Sequence, residues 1–195
     1  ELREILKSKG YSCNSNSDTE VLLKAYHAWG KDCVHRIDGM FAFAIWEQNT
    51  GKLILARDRL GIKPLYYSAD ANYGFKFAST LPALIEFGDV DTSIDRIALH
   101  YYLTFHAVPE PRTILSGVKK LSPGCLMTVH PDGKIEEESY WNLKFENTKA
   151  EHYRDENYWI KETYEVLKSA THRQLAADVP VGILLSGGLD SSLLV

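Results

Sequence analysis

Cysteine is scarce in this chain, and what there is forms no motif. Cys13, Cys33 and Cys125 lie far apart in 195 residues, with no C-x-x-C pair and an odd total. That pattern excludes a disulfide framework or a zinc module and suits reduced thiols that pack as small hydrophobes. Long hydrophobic runs are missing as well. The longest, Met40–Trp46, falls far short of the roughly 20 residues that cross a membrane. No basic excess exists: the formal net charge is −4, which argues against a nucleic-acid partner. The string G-x-x-x-x-G-K-[ST] is absent, so no Walker-type phosphate loop is encoded. Seven histidines, at 27, 35, 100, 106, 130, 152 and 172, show no metal-ligand spacing. Neither a methionine start nor a signal peptide is visible, and Glu1–Lys7 reads as mid-helix, with Leu2, Ile5 and Leu6 on one face. The expectation is an internal segment of a larger, soluble, cytoplasmic enzyme.

What is present divides into two kinds of region. Ser17 to Glu20 forms a capping box ahead of an apolar stripe, Val21, Leu22, Ala25, Tyr26 and Trp29, which stops at Gly30. Two strands, Met40–Gln48 and Lys52–Asp58, flank Asn49-Thr50-Gly51 as a three-residue hairpin loop. Leu65–Tyr67 and Tyr73–Ala78 read as a second hairpin, and Leu126–Val129 with Ile135–Ser139 as a third pair turning at Pro131-Asp132-Gly133. Helices are predicted over Leu81–Phe87 and Ile94–Phe105, the second started by Ser93 or Asp95. Short strands joined by tight turns, with flanking helices, predict an antiparallel α+β domain over residues 1–141. The polar, aperiodic stretch 142–155 reads as a linker. Tyr158–Leu175 then reads as a long amphipathic helix with Ile160, Tyr164, Leu167, Ala170 and Leu175 inward.

The densest chemical signal lies at 181–192. An apolar run, Val181–Leu185, predicts a buried strand, and it runs directly into Ser186-Gly187-Gly188-Leu189-Asp190-Ser191-Ser192. Glycines let the backbone approach oxyanions, and a helix opening behind them points unpaired N–H groups at the same place. Ser186, Ser191 and Ser192 add hydroxyl donors, and Asp190 can hold Mg2+ between phosphate oxygens. An ordinary strand-to-helix turn with Asp190 as helix cap is the bland alternative.

This loop resembles the S-G-G-x-D-S signature of the PP-loop ATP pyrophosphatases, which cleave ATP between the α- and β-phosphates. Upstream, Ser17-Asp18-Thr19-Glu20-Val21-Leu22-Leu23, Asp38-Gly39-Met40-Phe41-Ala42-Phe43-Ala44 and Ala56-Arg57-Asp58-Arg59-Leu60-Gly61-Ile62-Lys63-Pro64-Leu65-Tyr66-Tyr67 resemble class II glutamine amidotransferase domains. Together with Asp178-Val179-Pro180-Val181-Gly182, they are similar to the glutamine-hydrolysing asparagine synthetase family in one continuous order. The resemblance implies an Ntn-hydrolase-type αββα antiparallel sandwich over 1–141, shortened at its N-terminus. It implies that 156–195 is the start of an α/β PP-loop ATP-binding domain, with its first strand and loop.

The resemblance also implies roles. Asp18 matches the carboxylate that binds the α-ammonium group of glutamine, although by position alone it reads equally as a helix cap. Ser186, Gly187, Gly188, Asp190, Ser191 and Ser192 match pyrophosphate ligands, Asp190 the Mg2+ site, and Leu184 a position packing on adenine. Arg57, Asp58, Arg59 and Lys63 are signature positions expected to pin strand ends through ion pairs. The family nucleophile, an N-terminal cysteine using its own amino group as base, has no match within these 195 residues. No catalytic residue is therefore assigned, and the 195 residues alone are not expected to hydrolyse glutamine. Implied cofactors are ATP and Mg2+, and implied partners are glutamine and an acceptor carboxylate, with a homodimer as a candidate assembly. Phe77–Leu84, Val90–Asp95 and Tyr102–Ala107 are most similar to a branch that amidates N-acetylglutaminylglutamine, with aspartate the alternative acceptor. A PP-loop RNA-modifying enzyme would carry the loop without the upstream strings, and a non-catalytic partner-binding module is the other alternative for these 195 residues.

Overall fold

The computed structural model describes residues 2–70, 72–145, 154–175, 177 and 179–195. They form two units, residues 1–143 and 144–195. In the first, strand alternation sets the layers. The strand β2 (Lys52–Arg57) lies between β1 (Ala42–Glu47) and β6 (Cys125–Val129), and β7 (Ile135–Ser139) closes the far side of an antiparallel sheet ordered β1-β2-β6-β7. Successive side chains of a strand point to opposite faces, and here both faces are apolar. Ile54 and Ala56 of β2 join Leu126 of β6 in one core with Leu6, Ala25, Cys33 and Val34. These last four come from α1 (Leu2–Ser8), α2 (Asp18–Trp29) and the 3-10 turn Gly30–Arg36. Leu55, Cys125, Met127 and Val129 point the other way into a second core.

That second core joins two sheets. A three-stranded antiparallel sheet ordered β4-β3-β5 contains β3 (Tyr66–Asp70), β4 (Gly74–Ala78) and β5 (Lys119–Lys120). Tyr67, Phe75 and Phe77 from its inner face pack on the Leu55 cluster. The helix α3 (Leu81–Glu86) lies against β3 and β4, and Lys76, one residue off the inner-face alternation, donates to Gly88 O just beyond α3. The layer order is helix, sheet, sheet, helix, the α+β arrangement expected. Full burial of each large side chain at these positions contributes roughly 1.5–3 kcal/mol. A further helix, α4 (Arg96–Phe105), is capped by Asp95, whose carboxylate accepts from Ile97 N and Ala98 N. Ser93 is thus not the cap.

Four local expectations are corrected. The β1–β2 register pairs Glu47 with Lys52, leaving a four-residue loop rather than three. Gly51, at φ +65°, closes it by donating to Glu47 O. Glu20 does not complete a capping box, because its carboxylate is taken by residues before the cap. The third correction lies in the second unit, where α5 (Glu156–Gln174) is the main element, with Asp155 as its cap. Its predicted inward residues are not buried: Ile160, Tyr164 and Leu167 line an open groove of about 700 Å³ shared with Ile183 and Leu193. Val181–Leu185 forms no strand. A strand is stabilised by a ladder with a neighbour, and the described residues of this unit contain no second strand to pair with. The expected linker at 142–155 lies largely outside the described residues, as does His152.

Candidate functional site

At the N-terminus of α2, Ser17 is the cap: its Oγ accepts from Thr19 N at 3.2 Å. Asp18 therefore occupies the first helical position and is not the cap that its sequence position allowed. Its carboxylate is exposed, and no partner for it is recorded among the described residues. The helix dipole favours a negative charge there, and an ammonium group can approach it from solvent. Glu20, one turn in, points back along the chain. It accepts from Asn14 N at 2.9 Å, Ser15 N at 2.7 Å and Ser15 Oγ at 2.6 Å. The Ser15 hydroxyl, followed by these two backbone N–H groups, holds the Glu20 carboxyl down at about 2. The Arg3 guanidinium donates to Ser15 O and ties α1 to the same turn.

A second cluster sits where β2 ends. Arg57 is 4% exposed and Asp58 1%. The Asp58 carboxylate accepts four backbone N–H groups, from Phe41, Leu60, Ile62 and Lys63. Arg57 donates to the carbonyls of Gly61, Lys63 and Leu121 and forms an ion pair with Glu110 at 2.9 Å. Gly124 N donates to Asp58 O, and the Tyr140 hydroxyl to Arg57 O. Gly124 sits at φ +62°, where an added Cβ would meet Trp141 O at 2.5 Å, so glycine is required there. Pinning of strand ends is as expected, but backbone groups accept or donate most of it rather than ion pairs. Arg59 adds a surface pair with Asp38 at 3.4 Å. Glu110 and Tyr140 had no local sequence signal, since they lie 53 and 83 residues from Arg57.

In the second unit, the serine-glycine turn folds on itself. Gly187 has φ +78°, Gly188 caps the short helix α6 (Leu189–Leu193), and Asp190 is inside its first turn. Asp190 is thus not the cap either. Ser186 Oγ and Ser191 Oγ are 2.9 Å apart, and Ser191 and Ser192 each donate to Gly188 O. The turn brings Ser186, Gly187, Gly188, Asp190, Ser191 and Ser192 together, all exposed but the half-buried Ser191. Leu184 stands 97% exposed. No partner for the Asp190 carboxylate is recorded among the described residues. Three hydroxyls, which here bond within the turn and would have to rotate outward, a glycine backbone and one unpaired carboxylate have the chemistry to meet phosphate oxygens and a hard cation between them.

Other candidates are accounted for structurally. Burial pushes the Cys33 thiol up to about 11 and also raises that of Cys125, which marks both as inert packing groups. Among the described residues no group of three or more His, Cys, Asp or Glu is placed to hold a metal ion. No helix among them is long and apolar enough to cross a membrane.

Residues 1–141 match the model of the glutamine amidotransferase domain. The chain belongs to that family. Residues 162–195 of this amidotransferase chain match the asparagine synthase family model. Among curated proteins it is 42% identical to "Asparagine synthetase [glutamine-hydrolyzing] 1" of Bacillus subtilis, covering 100% of this chain and 30% of that one. It is 33% identical to "Putative asparagine synthetase [glutamine-hydrolyzing] 2" of Methanocaldococcus jannaschii, covering 98% of this chain and 37% of that one. The amidotransferase chain thus spans about a third of the length of these relatives. A solved glutamine phosphoribosylpyrophosphate amidotransferase from B. subtilis is similar at 20% identity and TM-score 0.46, over 72% of this chain and 26% of that one.

Proposed function

We propose that this chain supplies the glutamine-binding domain and the opening of the ATP-binding domain of a glutamine-dependent amidotransferase of the asparagine synthetase type. Such an enzyme converts an acceptor carboxylate to an amide with release of AMP and pyrophosphate. The observation that carries the reading is the order of two matches in one chain, glutamine amidotransferase over 1–141 and asparagine synthase over 162–195. Residues 1–141 act as the glutaminase, 142–155 as linker and 156–195 as the start of the synthetase, in a cytoplasmic enzyme. The glutaminase layers are those of an Ntn hydrolase.

In this reading Asp18 binds the α-ammonium of glutamine through a charge-assisted contact and fixes which end of the substrate faces the reacting amide. The buried Arg57–Asp58 cluster holds the neighbouring strand ends rigid without touching substrate. ATP, when bound, activates the acceptor carboxylate by transfer of its adenylyl group, and Mg2+ offsets charge on the departing pyrophosphate. Ser186, Ser191 and Ser192 donate hydroxyls to phosphate oxygens, the glycine pair lets the backbone approach, Asp190 holds the cation, and Leu184 packs on the base.

Aspartate is favoured as acceptor by the similarity to asparagine synthetases, and N-acetylglutaminylglutamine by the strings at 77–84, 90–95 and 102–107. The test is stoichiometry in the full-length enzyme. Glutamate, AMP and pyrophosphate should appear one for one with amide product, and free ammonia should replace glutamine. Glutamine hydrolysis with no acceptor-dependent AMP would refute the synthetase half of the reading.

A further inference from the structure

We propose that Glu20 is a positioning residue for glutamine, acting through Asp18 by fixing the turn that delivers it. The proposal rests on the glutamine-binding role given to Asp18 above. Four observations on the turn itself lead to it. First, Glu20 spends both carboxylate oxygens on the chain before the helix: Oε1 on Asn14 N, and Oε2 on both the N–H and the hydroxyl of Ser15. Second, Ser15 Oγ, while donating to Glu20, accepts from Ser17 N at 3.2 Å. One carboxylate therefore reaches the backbone of 14, 15 and, through a hydroxyl, 17. Third, Ser17 is left to cap the helix alone. Fourth, Asp18 follows with no side-chain partner recorded among the described residues.

The consequence is a division of labour among adjacent acids. In an ordinary capping box the glutamate at this position would bond the N–H of the cap residue. Here it reaches two and three residues farther back, and the turn it holds is polar and solvent-exposed, with no apolar packing to fix it. Without Glu20, the N–H groups of Asn14 and Ser15 turn to water and the 14–17 backbone gains alternative paths. Asp18 would then sample positions displaced from the one that meets the substrate ammonium. Neither Glu20 nor Ser15 needs to touch glutamine for this to matter, since the attraction between the Asp18 carboxylate and the substrate ammonium weakens as the two move apart.

The experiment uses Glu20→Ala, Glu20→Gln, Asp18→Asn and the Asp18→Asn/Glu20→Ala double variant in the full-length enzyme. Readouts are glutamine KM and kcat for glutamate release, ammonia-dependent synthesis, and Tm. We expect Glu20→Ala to raise glutamine KM about tenfold with kcat held within about twofold, because the lost positioning acts on binding. Ammonia-dependent synthesis should be unchanged. Glu20→Gln, which keeps one acceptor oxygen, should lie between Glu20→Ala and wild type. The double variant should have a KM no higher than Asp18→Asn alone, because positioning has nothing left to act through. A KM unmoved by Glu20→Ala, or a double variant whose effects multiply, overturns the proposal while a raised KM in Asp18→Asn keeps the Asp18 role standing. A KM unmoved in Asp18→Asn overturns that role, and the proposal with it. Parallel losses of Tm, kcat and ammonia-dependent synthesis in Glu20→Ala would reduce Glu20 to a structural group and also overturn it.

Discussion

Ser17, Asp18 and Glu20 occupy four consecutive positions of the chain with Thr19 and perform three different tasks, and substitution should separate them. Ser17→Ala removes the cap on Thr19 N and should cost about 1 kcal/mol of stability. Asp18→Ala should cost little stability, since Asp18 caps nothing, yet raise the KM for glutamine about 10- to 100-fold through loss of a charge-assisted contact. Synthesis from free ammonia should survive in that variant. If the glutamine and ammonia activities fall together with thermal stability, Asp18 is a structural residue. Glu20 gives a pH signature. Its folded carboxyl lies at about 2 against an ordinary value of 4.5. A depressed folded value means that its contribution is complete above pH 4.5 and is lost as pH falls from there toward 2. Glu20→Gln should therefore lower stability near neutrality, where the contribution is complete, and flatten the acid limb between pH 4.5 and 2. Denaturation midpoints followed across the acid range measure this, and an unchanged acid slope in the variant would count against it. The capping glutamate was legible from the Ser17-to-Glu20 spacing, but its actual partners were not. Spacing predicts that an acid can reach backward, whereas the conformation of 14–16 decides which N–H groups it meets.

At the scale of elements, the strands of the main sheet were readable as short runs bounded by turn residues, and Leu53–Ala56 and Cys125–Val129 are near-continuous apolar because both faces of the sheet are buried. Two things were not. The strand Lys119–Lys120 is two residues long and is defined by pairing with Tyr66 and Tyr67 about fifty positions away, so no local pattern marks it. Val181–Leu185 has the composition of a buried strand, but composition supplies only a willing partner and not a ladder. The Arg57–Asp58 cluster shows the same limit from the other side. Its motif was visible, yet the work is done against backbone groups of Phe41, Leu60–Lys63 and Leu121, which only the fold assembles. Replacing Asp58 by Ala strands four backbone N–H groups in a nearly dry site and should cost about 3 kcal/mol or more. Arg59→Ala, losing a partly exposed pair with Asp38 and a hydrogen bond to Ile37 O, should cost about 1–2 kcal/mol. Chemical denaturation of both variants decides the matter. Equal effects would mean that Asp58 is satisfied by water after all.

For the molecule as a whole, the two units make separable claims, and a variant in one should leave the chemistry of the other intact. Asp190→Asn removes the only charge that the serine-glycine turn presents between Ser186 and Ser192. ATP-dependent synthesis should then fall on the order of a hundredfold or more, because the contact is needed most as charge builds on the departing pyrophosphate. Glutamate release from glutamine should persist, since Asp18 lies in the other unit. Wild-type pyrophosphate release in this variant would reduce Asp190 to a residue of the first helical turn. The acceptor is settled by a different comparison. AMP formation is measured with aspartate and with N-acetylglutaminylglutamine, each supplied with ammonia so that the glutaminase plays no part. A pocket built to hydrogen-bond the dipeptide amides would be left with unpaired buried groups by aspartate, and a pocket closed around aspartate would exclude the dipeptide. Discrimination should therefore be steep, on the order of a hundredfold or more, in one direction. The strings at 77–84, 90–95 and 102–107 point to the dipeptide, and kinship at 42% identity points to aspartate. Those strings lie in the first unit, within the amidotransferase match, so the relatives matched over both units carry the greater weight. Robust aspartate-dependent AMP formation with no response to the dipeptide is the expected result, and the reverse would show that the glutaminase strings track acceptor choice.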